Sequence, residues 1–261
     1  MGGTLQKMIS TIDARGGLRA LSVAACCALT GACATLPDDP AERADVIALN
    51  DPFEPANRLA YSFNSEVART ILAPVAMAAQ VPVLTPVRTV VSNFLQNLRE
   101  PMTFVNDIAQ GHECAAGSTL RRFMVNSTLG IGGIFDVAKT RGKLEAHDND
   151  FGTTLGVWGL PAGPYLVLPV LGPTDARGVV GTAVEYYADP VDLVWTKNGG
   201  SDWVVYTRTV LDELDQQAKV LPALAVIEKT SLDPYAAVRS AYRENLADQM
   251  KGPGCVEYAE W

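Results

Sequence analysis

Residues 151–174 constrain the fold more than any other part of the sequence, because these 24 residues carry no charge. A segment of this length and apolarity is long enough to cross a membrane as a helix, which takes about 20 residues. However, it also contains four prolines and five glycines. Each proline removes a backbone donor and breaks helical hydrogen bonding that lipid cannot replace. The segment therefore cannot be a plain membrane-spanning helix, and we expect irregular backbone.

Two shorter segments have the same character. Residues 70–87 and 126–135 are also uncharged; three prolines interrupt the first, and the second is rich in glycine. Two interpretations are open for all three segments. They are either loops buried in a protein core, or irregular backbone that lines a cavity or lies at a membrane interface beside protein.

The N-terminus has the pattern of a secretory signal. Three basic residues precede a largely apolar run, 20–32, that ends in small residues directly before Cys33. The run is too short to span a bilayer, so we predict that residues 1–32 are a lipoprotein signal peptide and that acylated Cys33 supplies the anchor. Two alternatives stay open. One is acylation at Cys26, and the other is cleavage near Ala32 without a lipid.

The predicted mature chain is acidic, and its 229 residues suit one large domain or two small ones. Loss of the signal leaves 18 Lys and Arg against 28 Asp and Glu, a formal charge of −10. Such a chain is a poor candidate for binding nucleic acid or for electrostatic docking on anionic headgroups. We predict a lipidated tether over residues 33–49, a helical domain over 50–250 and a C-terminal tail over 251–261.

Two cysteines remain after the signal is removed and Cys33 is acylated, namely Cys114 and Cys255. An even pair in an oxidising compartment favours a disulfide between them. Two free thiols are the alternative that the sequence leaves open.

Apolar spacing predicts a mainly α-helical protein, with few alternating strands. Helices are predicted from Glu54 and from Thr85, and Pro101 is expected to end or kink the second one. Further helices are expected over residues 102–110, 120–127, 175–187 and 202–220, and the last begins after Asp233, a suitable N-cap followed by proline.

Catalytic chemistry is poorly represented. The chain has two histidines, His112 and His147, and lacks both a Gly-x-Ser-x-Gly nucleophile elbow and a phosphate-binding glycine loop. His112 stands beside Glu113 and Cys114, but no second cluster completes a metal site. We therefore predict no enzyme activity, no cofactor and no metal. A lipid hydrolase that uses one of the histidines is the alternative.

A series of ordered motifs covers roughly residues 50–245. They are Asp51-Pro52-Phe53-Glu54-x-x-Asn57-Arg58-x-x-Tyr61-x-Phe63-Asn64, Asn93-Phe94-x-x-Asn97-Leu98-x-x-Pro101, Gln110-Gly111, Arg122-Phe123-x-x-Asn126-Ser127-x-x-Gly130, Gly133-x-Phe135-Asp136-x-Ala138, Asp150-Phe151-Gly152-x-Thr154-Leu155-Gly156-x-Trp158-Gly159, Gly163-Pro164-Tyr165-x-x-Leu168-Pro169, Leu171-Gly172-Pro173 and Asp233-Pro234-Tyr235-x-x-Val238-Arg239-x-x-Tyr242. In these motifs the chain resembles the MlaA family, also called VacJ lipoproteins.

This resemblance implies an outer-membrane lipoprotein that faces the periplasm. The expected fold is a ring-like helical bundle with irregular Gly/Pro-rich segments, embedded in the inner leaflet and enclosing an amphipathic channel. Its expected partners are phospholipid, a trimeric outer-membrane porin and a periplasmic phospholipid carrier protein. The expected function is removal of misplaced phospholipid from the outer leaflet. A structural lipoprotein that braces porins without passing lipid is the alternative.

A lipid path needs polar groups for the headgroup and apolar groups for the tails. The candidates on this basis are Asn57, Arg58, Phe63, Asn64, Gly130, Ile131, Gly133, Phe135, Trp158 and Tyr165. Each also has an ordinary structural interpretation. The phenylalanines at helical spacing would then belong to the core, and the asparagines would cap or brace helices.

Overall fold

The computed structural model describes residues 50–79 and 85–255. This part of the chain is mainly helical, as predicted. The signal peptide, Cys33, the tether and residues 256–261 of the tail lie outside the described residues. Within them, no helix combines the length and the apolarity that crossing a bilayer requires.

Ten α-helices, one π-helical stretch and a two-stranded sheet make up the described elements. In chain order they are α1 (Glu54–Val67), the π-helix (Ala68–Leu72), α2 (Ala73–Ala79), α3 (Thr85–Ala109), α4 (Glu113–Thr128), α5 (Val137–Thr140), α6 (Phe151–Val157), β1 (Tyr165–Leu168), β2 (Gly172–Asp175), α7 (Ala176–Ala188), α8 (Pro190–Lys197), α9 (Asp202–Thr230) and α10 (Pro234–Lys251).

The charge-free segment 151–174 folds into a short helix, a loop and a hairpin. It supplies α6 and β1, and it reaches into β2, which pairs antiparallel with β1. A two-stranded hairpin is only marginally stable by itself, so the free edge of β1 needs hydrogen-bond partners. Helix α1 provides them.

Two asparagines of α1 take the place of a third strand. The amide of Asn57 donates to the carbonyl of Tyr165 at 2.9 Å and accepts from the N–H of Val167 at 2.9 Å. Asn64 makes the equivalent pair with the carbonyl of Leu168 and the N–H of Val170. Seven residues of helix rise about 10 Å, and three residues of strand cover about the same length. The helix and strand therefore stay in register.

An aromatic core lies between α1, β1 and α10. Tyr165 and Tyr235 are both buried, and Tyr61 and Tyr242 pack around them. Asp51 accepts hydrogen bonds there from the hydroxyl of Tyr235 and from Arg239, whose Nη1 lies 2.6 Å from its carboxylate. The core joins the beginning of the described chain to its last helix.

Helix α3 differs from the sequence prediction at Pro101. It continues from Thr85 through Pro101 to Ala109, so the helix does not end at the proline, which was one of the two outcomes that we expected. Close packing against α4 along this stretch holds the helix together, with Glu100 and Thr103 both buried. Arg208 of α9 also donates to the carbonyl of Leu98 at 3.4 Å, three residues before Pro101. Helix α9 similarly continues to Thr230, through Pro222 and beyond the predicted end.

Cys114 and Cys255 form a disulfide, which is the first of the two alternatives that the sequence left open. The bond ties the tail after α10 to the first turn of α4 across 141 residues of sequence. A cross-link that closes so long a loop restricts the unfolded chain strongly, and such bonds typically stabilise by about 2–4 kcal/mol.

Candidate functional site

The described residues reverse the usual distribution of polar and apolar side chains. Seventeen buried residues are polar or charged and ten are hydrophobic, while large hydrophobic side chains are exposed along most helices. In soluble domains, charged and amide side chains are seldom fully buried. An extensive exposed apolar surface indicates contact with lipid or with another protein.

Helix α9 shows the reversal most clearly. Its polar side faces α3, where Arg99 Nη1 lies 2.7 Å from a carboxylate oxygen of Asp212 and both side chains are largely buried. Its outer side carries Trp203, Tyr206 and Val210, all exposed. Ion pairs rather than apolar packing therefore face the interior at this contact.

A buried ion pair lies at the centre of the contact between α3 and α4. Arg122 Nε donates to Glu100 at 2.9 Å, with side-chain exposures of 1% and 2%. Burial raises the pKa of Glu100, and Arg122 offsets only part of that effect. Burial alone would lower the pKa of Arg122, but the carboxylates of Glu100 and Asp136 raise it. Arg122 also donates to the carbonyl of Leu144 and to Asp136, so one guanidinium holds three partners.

Asp136 carries this network to the surface. It accepts from Arg122 at 3.1 Å and from Asn126 at 3.0 Å, and it caps α5 by accepting from the N–H of Lys139. Burial opposes ionisation, but these donors hold the pKa of Asp136 below its usual value. Residues of α4 thus fix the position of Asp136, which directly follows Phe135.

Residues 129–135, which we call the glycine loop, connect α4 to Asp136. A Cβ at Gly130 would lie 2.2 Å from the carbonyl oxygen of Phe135, and one at Gly133 would lie 2.4 Å from the Cβ of Asn97. Gly133 also has a φ of +93°, which favours glycine. Ile131 has a φ of +54°, an uncommon and strained value for a β-branched residue. The loop can therefore hold this shape only with glycine at both positions.

The glycine loop presents apolar side chains above a polar support. Ile131 is 65% exposed and Phe135 is 55% exposed, and Leu129 is equally open. From below, Asn93 donates to the carbonyl of Ile134 at 3.2 Å and Asn97 donates to the hydroxyl of Ser127 at 3.0 Å. The loop is thus held in one shape and exposes apolar side chains, and we take it as the candidate functional site.

The other sequence candidates fall into two groups, and the first group makes internal contacts. Asn57 and Asn64 brace β1, and Tyr165 lies in the aromatic core. Arg58 pairs with Glu54 and with Asp233, at 2.8 Å and 2.6 Å, and its guanidinium lies 4.4 Å from the centre of the Tyr235 ring. These contacts account for Asn57, Asn64 and Arg58 without a ligand, whereas the buried hydroxyl of Tyr165 has no hydrogen-bond partner among the described residues.

The second group is exposed. Phe63 is half exposed on α1, and Trp158 is exposed at the end of α6, where its Nε1 donates to the carbonyl of Ala109 at 2.8 Å. Leu129 was not among the residues predicted from the sequence, and Asn93 and Asn97 were not predicted to support the loop. The two asparagines lie four residues apart and therefore share one face of the helix, which was the available signal.

The two histidines lie in different surroundings. His147 Nε2 lies 2.9 Å from Asp107, which holds the pKa of His147 above its usual value even though burial opposes this. His112 lies against Gly252, beside the disulfide. Within the part of the chain that the structure describes, no three His, Cys, Asp or Glu side chains are grouped so as to hold a metal ion.

Residues 49–249 match the family model described as MlaA lipoprotein, and this range contains the glycine loop and all ten helices apart from the last residues of α10. The chain belongs to the MlaA lipoprotein family.

Relatives with and without an assigned role are similarly close. An uncharacterized protein of Rickettsia prowazekii is 36% identical, over 73% of this chain and 74% of its own. The intermembrane phospholipid transport system lipoprotein MlaA of Escherichia coli K12 is 36% identical, over 74% and 75%. Its counterpart from Haemophilus influenzae is 32% identical, over 81% and 83%.

A solved structure supports the same assignment. It is described as the structural basis for maintenance of bacterial outer membrane lipid asymmetry. It matches this chain with a TM-score of 0.64 and 32% identity, covering 75% of this chain and 96% of its own. The MlaA fold therefore extends across most of the described residues.

Proposed function

We propose that this MlaA-family chain is an outer-membrane lipoprotein that removes phospholipid from the outer leaflet and passes it through an amphipathic channel to a periplasmic carrier. Acylated Cys33 holds it in the inner leaflet, facing the periplasm, and residues 33–49 are the tether to the helical domain. It maintains lipid asymmetry by transport rather than by a chemical reaction.

The reversed distribution of side chains carries this proposal. A protein surrounded by lipid tails gains nothing by burying leucine or valine, whereas its polar groups must find partners inside. The buried network around Arg122 and the exposed hydrophobic side chains of α9 fit that environment. We therefore infer a ring-like helical bundle embedded in the inner leaflet rather than a domain tethered in water.

The glycine loop, with Phe63 and Trp158, borders the lipid path in this proposal. Ile131 and Phe135 offer apolar surface to the acyl chains. A trimeric porin and a periplasmic phospholipid carrier are the proposed protein partners. The relatives from Escherichia coli and Haemophilus influenzae bear the name of an intermembrane phospholipid transport system, which supports lipid as the cargo.

A complementation experiment tests the anchor and the transport together. In a deletion strain, amines of outer-leaflet phosphatidylethanolamine are labelled with a membrane-impermeant reagent. We expect wild type to restore low labelling and Cys33→Ser to leave labelling high, because an unacylated chain loses the part of its membrane affinity that the acyl chains supply. Cys26→Ser is the matched control and should behave as wild type.

Equal rescue by Cys33→Ser would contradict the anchor. Normal labelling in the deletion strain, together with no phospholipid copurifying with the protein, would instead favour a structural lipoprotein that braces porins. Fatty acid released from phospholipid by the purified protein, and lost on replacing His112 or His147, would overturn the assignment as a transporter without catalysis.

Phe63 and Asn64 are adjacent in the sequence, and we expect their replacement by alanine to have different effects. Phe63→Ala should raise outer-leaflet labelling at unchanged protein abundance, because this half-exposed side chain contacts lipid in the proposal. Asn64→Ala should mainly lower abundance, because it leaves the carbonyl of Leu168 and the N–H of Val170 without partners, at about 1–3 kcal/mol. Immunoblotting and labelling of the same cells separate the two effects. A loss of abundance with Phe63→Ala would assign that residue to the fold.

A further inference from the structure

A cluster of positive charge directly follows the glycine loop in this acidic chain. Lys139, Arg141 and Lys143 lie within five residues, and all three are exposed. We call residues 139–143 the basic turn. The formal charge of the whole sequence is −8, so three cations at one place are a local exception.

The basic turn is held in a defined shape from below. Arg122 donates to the backbone carbonyl of Leu144, and the side chain of Leu144 is buried. The N–H of Leu144 donates to the carbonyl of Ala138 at 3.1 Å. Asp136 fixes the other end by capping α5. The same buried network therefore positions both the glycine loop and the basic turn.

Two of the three cations have no carboxylate partner in the described part of the chain. Lys139 Nζ lies 2.8 Å from Glu145, and this pair is solvent-exposed. Among residues 50–79 and 85–255, no carboxylate lies within ion-pair distance of Arg141 or Lys143. The nearby carboxylate of Asp136 is already engaged by Arg122 and Asn126. Arg141 and Lys143 are therefore available to an anion from outside the chain.

We propose that the glycine loop and the basic turn together form a contact site for anionic phospholipid, in which the loop meets the acyl chains and the cations hold the headgroup phosphate. This inference rests on the proposed function and adds a headgroup preference to it. Lysine and arginine lay their apolar stems along lipid while the charge reaches the headgroup level. A zwitterionic lipid carries its own cation beside the phosphate, so it gains less from the site.

The acidic net charge argued against electrostatic docking on anionic headgroups, but it describes the chain as a whole. Exposed charges are screened beyond about 8–10 Å in physiological salt. A headgroup at the basic turn is therefore influenced mainly by the local cations rather than by distant carboxylates. The exclusion of electrostatic docking on anionic headgroups, which was drawn from the net charge, therefore holds for the rest of the surface but not for the basic turn.

Lipid competition on the purified, acylated full-length mature protein tests the site. The protein in neutral detergent is offered equal amounts of phosphatidylglycerol and phosphatidylethanolamine, and native mass spectrometry measures the bound ratio. We expect wild type to favour phosphatidylglycerol. Near a membrane, each cation changes the retention of an anionic lipid by about fivefold, so Lys139→Gln/Arg141→Gln/Lys143→Gln should reduce the ratio by at least about fivefold.

The control removes the same charge elsewhere. Lys197→Gln/Lys229→Gln/Lys251→Gln replaces three other exposed lysines and should keep the wild-type ratio. Raising the salt to 0.5 M should lower the ratio for wild type and not for the basic-turn variant. An unchanged ratio in that variant, or an equal loss in the control, overturns the headgroup site while leaving phospholipid transport intact. Failure of either lipid to bind any of the proteins contradicts the proposed function as well.

Discussion

Replacing Arg122 by alanine is expected to lower the free energy of unfolding by about 3–5 kcal/mol, because it leaves an uncompensated buried charge. Glu100 is fully enclosed and loses its ion-pair partner, while Asp136 and the carbonyl of Leu144 each lose a donor. Arg141→Ala, directly after α5, is the control. Its side chain is exposed, so the change should stay within about 0.5 kcal/mol. Urea unfolding in detergent, followed by circular dichroism, gives both values.

The effect of Arg122→Ala should depend on pH with a defined sign. Burial already raises the pKa of Glu100 above its ordinary 4.5, and loss of the guanidinium raises it further. A carboxyl with a raised folded-state pKa stabilises the fold when protonated, and that contribution is lost as the pH rises above its unfolded-state pKa. The loss in free energy of unfolding caused by Arg122→Ala should therefore be smaller at pH 5 than at pH 8. Adding Glu100→Gln to Arg122→Ala should recover part of the lost free energy of unfolding at pH 8. A loss that does not depend on pH would contradict the buried-charge explanation.

The sequence predicted the existence of most helices, because their signals are local. Asp233 followed by proline marks the start of α10, and in the structure Asp233 accepts from the N–H of Ala236 at 3.1 Å. The prolines of residues 151–174 correctly excluded a single helix. The continuation of α3 through Pro101 could not be predicted, because it depends on packing against α4, which is distant in sequence.

The candidate site was predicted less completely, because the sequence does not show whether water or lipid surrounds each helix. Periodicity shows that Leu59 and Phe63 share one face of α1, and in water that face would turn inward. The structure exposes both residues and buries Asn57 on another side of the helix. Helical spacing is the same whichever face is buried, so the pattern identifies an amphipathic helix without showing which face meets the interior. Gly130, Ile131, Gly133 and Phe135 were selected as candidates because an irregular, uncharged segment is unusual both in water and in lipid.

Placing aspartate at both Ile131 and Phe135 is expected to abolish restoration of lipid asymmetry. Both side chains are exposed, so the fold should change by less than about 0.5 kcal/mol. At the centre of a bilayer each aspartate would cost about 2.5–3.5 kcal/mol. Even about 1 kcal/mol at each shallower position would sum to about 2 kcal/mol, more than a tenfold loss of lipid contact. Outer-leaflet labelling should therefore approach that of the deletion strain at normal protein abundance.

The matched control for the aspartate variant keeps the same positions apolar. Ile131→Leu/Phe135→Leu preserves apolar surface on the glycine loop and should restore asymmetry nearly as well as wild type. If the aspartate variant also restores it, the loop does not contact lipid, and the exposed hydrophobic side chains of the helices would have to serve a protein partner instead. If the aspartate variant fails only because its abundance falls, then Ile131 and Phe135 support the fold. Loss of asymmetry at unchanged abundance, confined to aspartate, is the result that requires lipid at this loop.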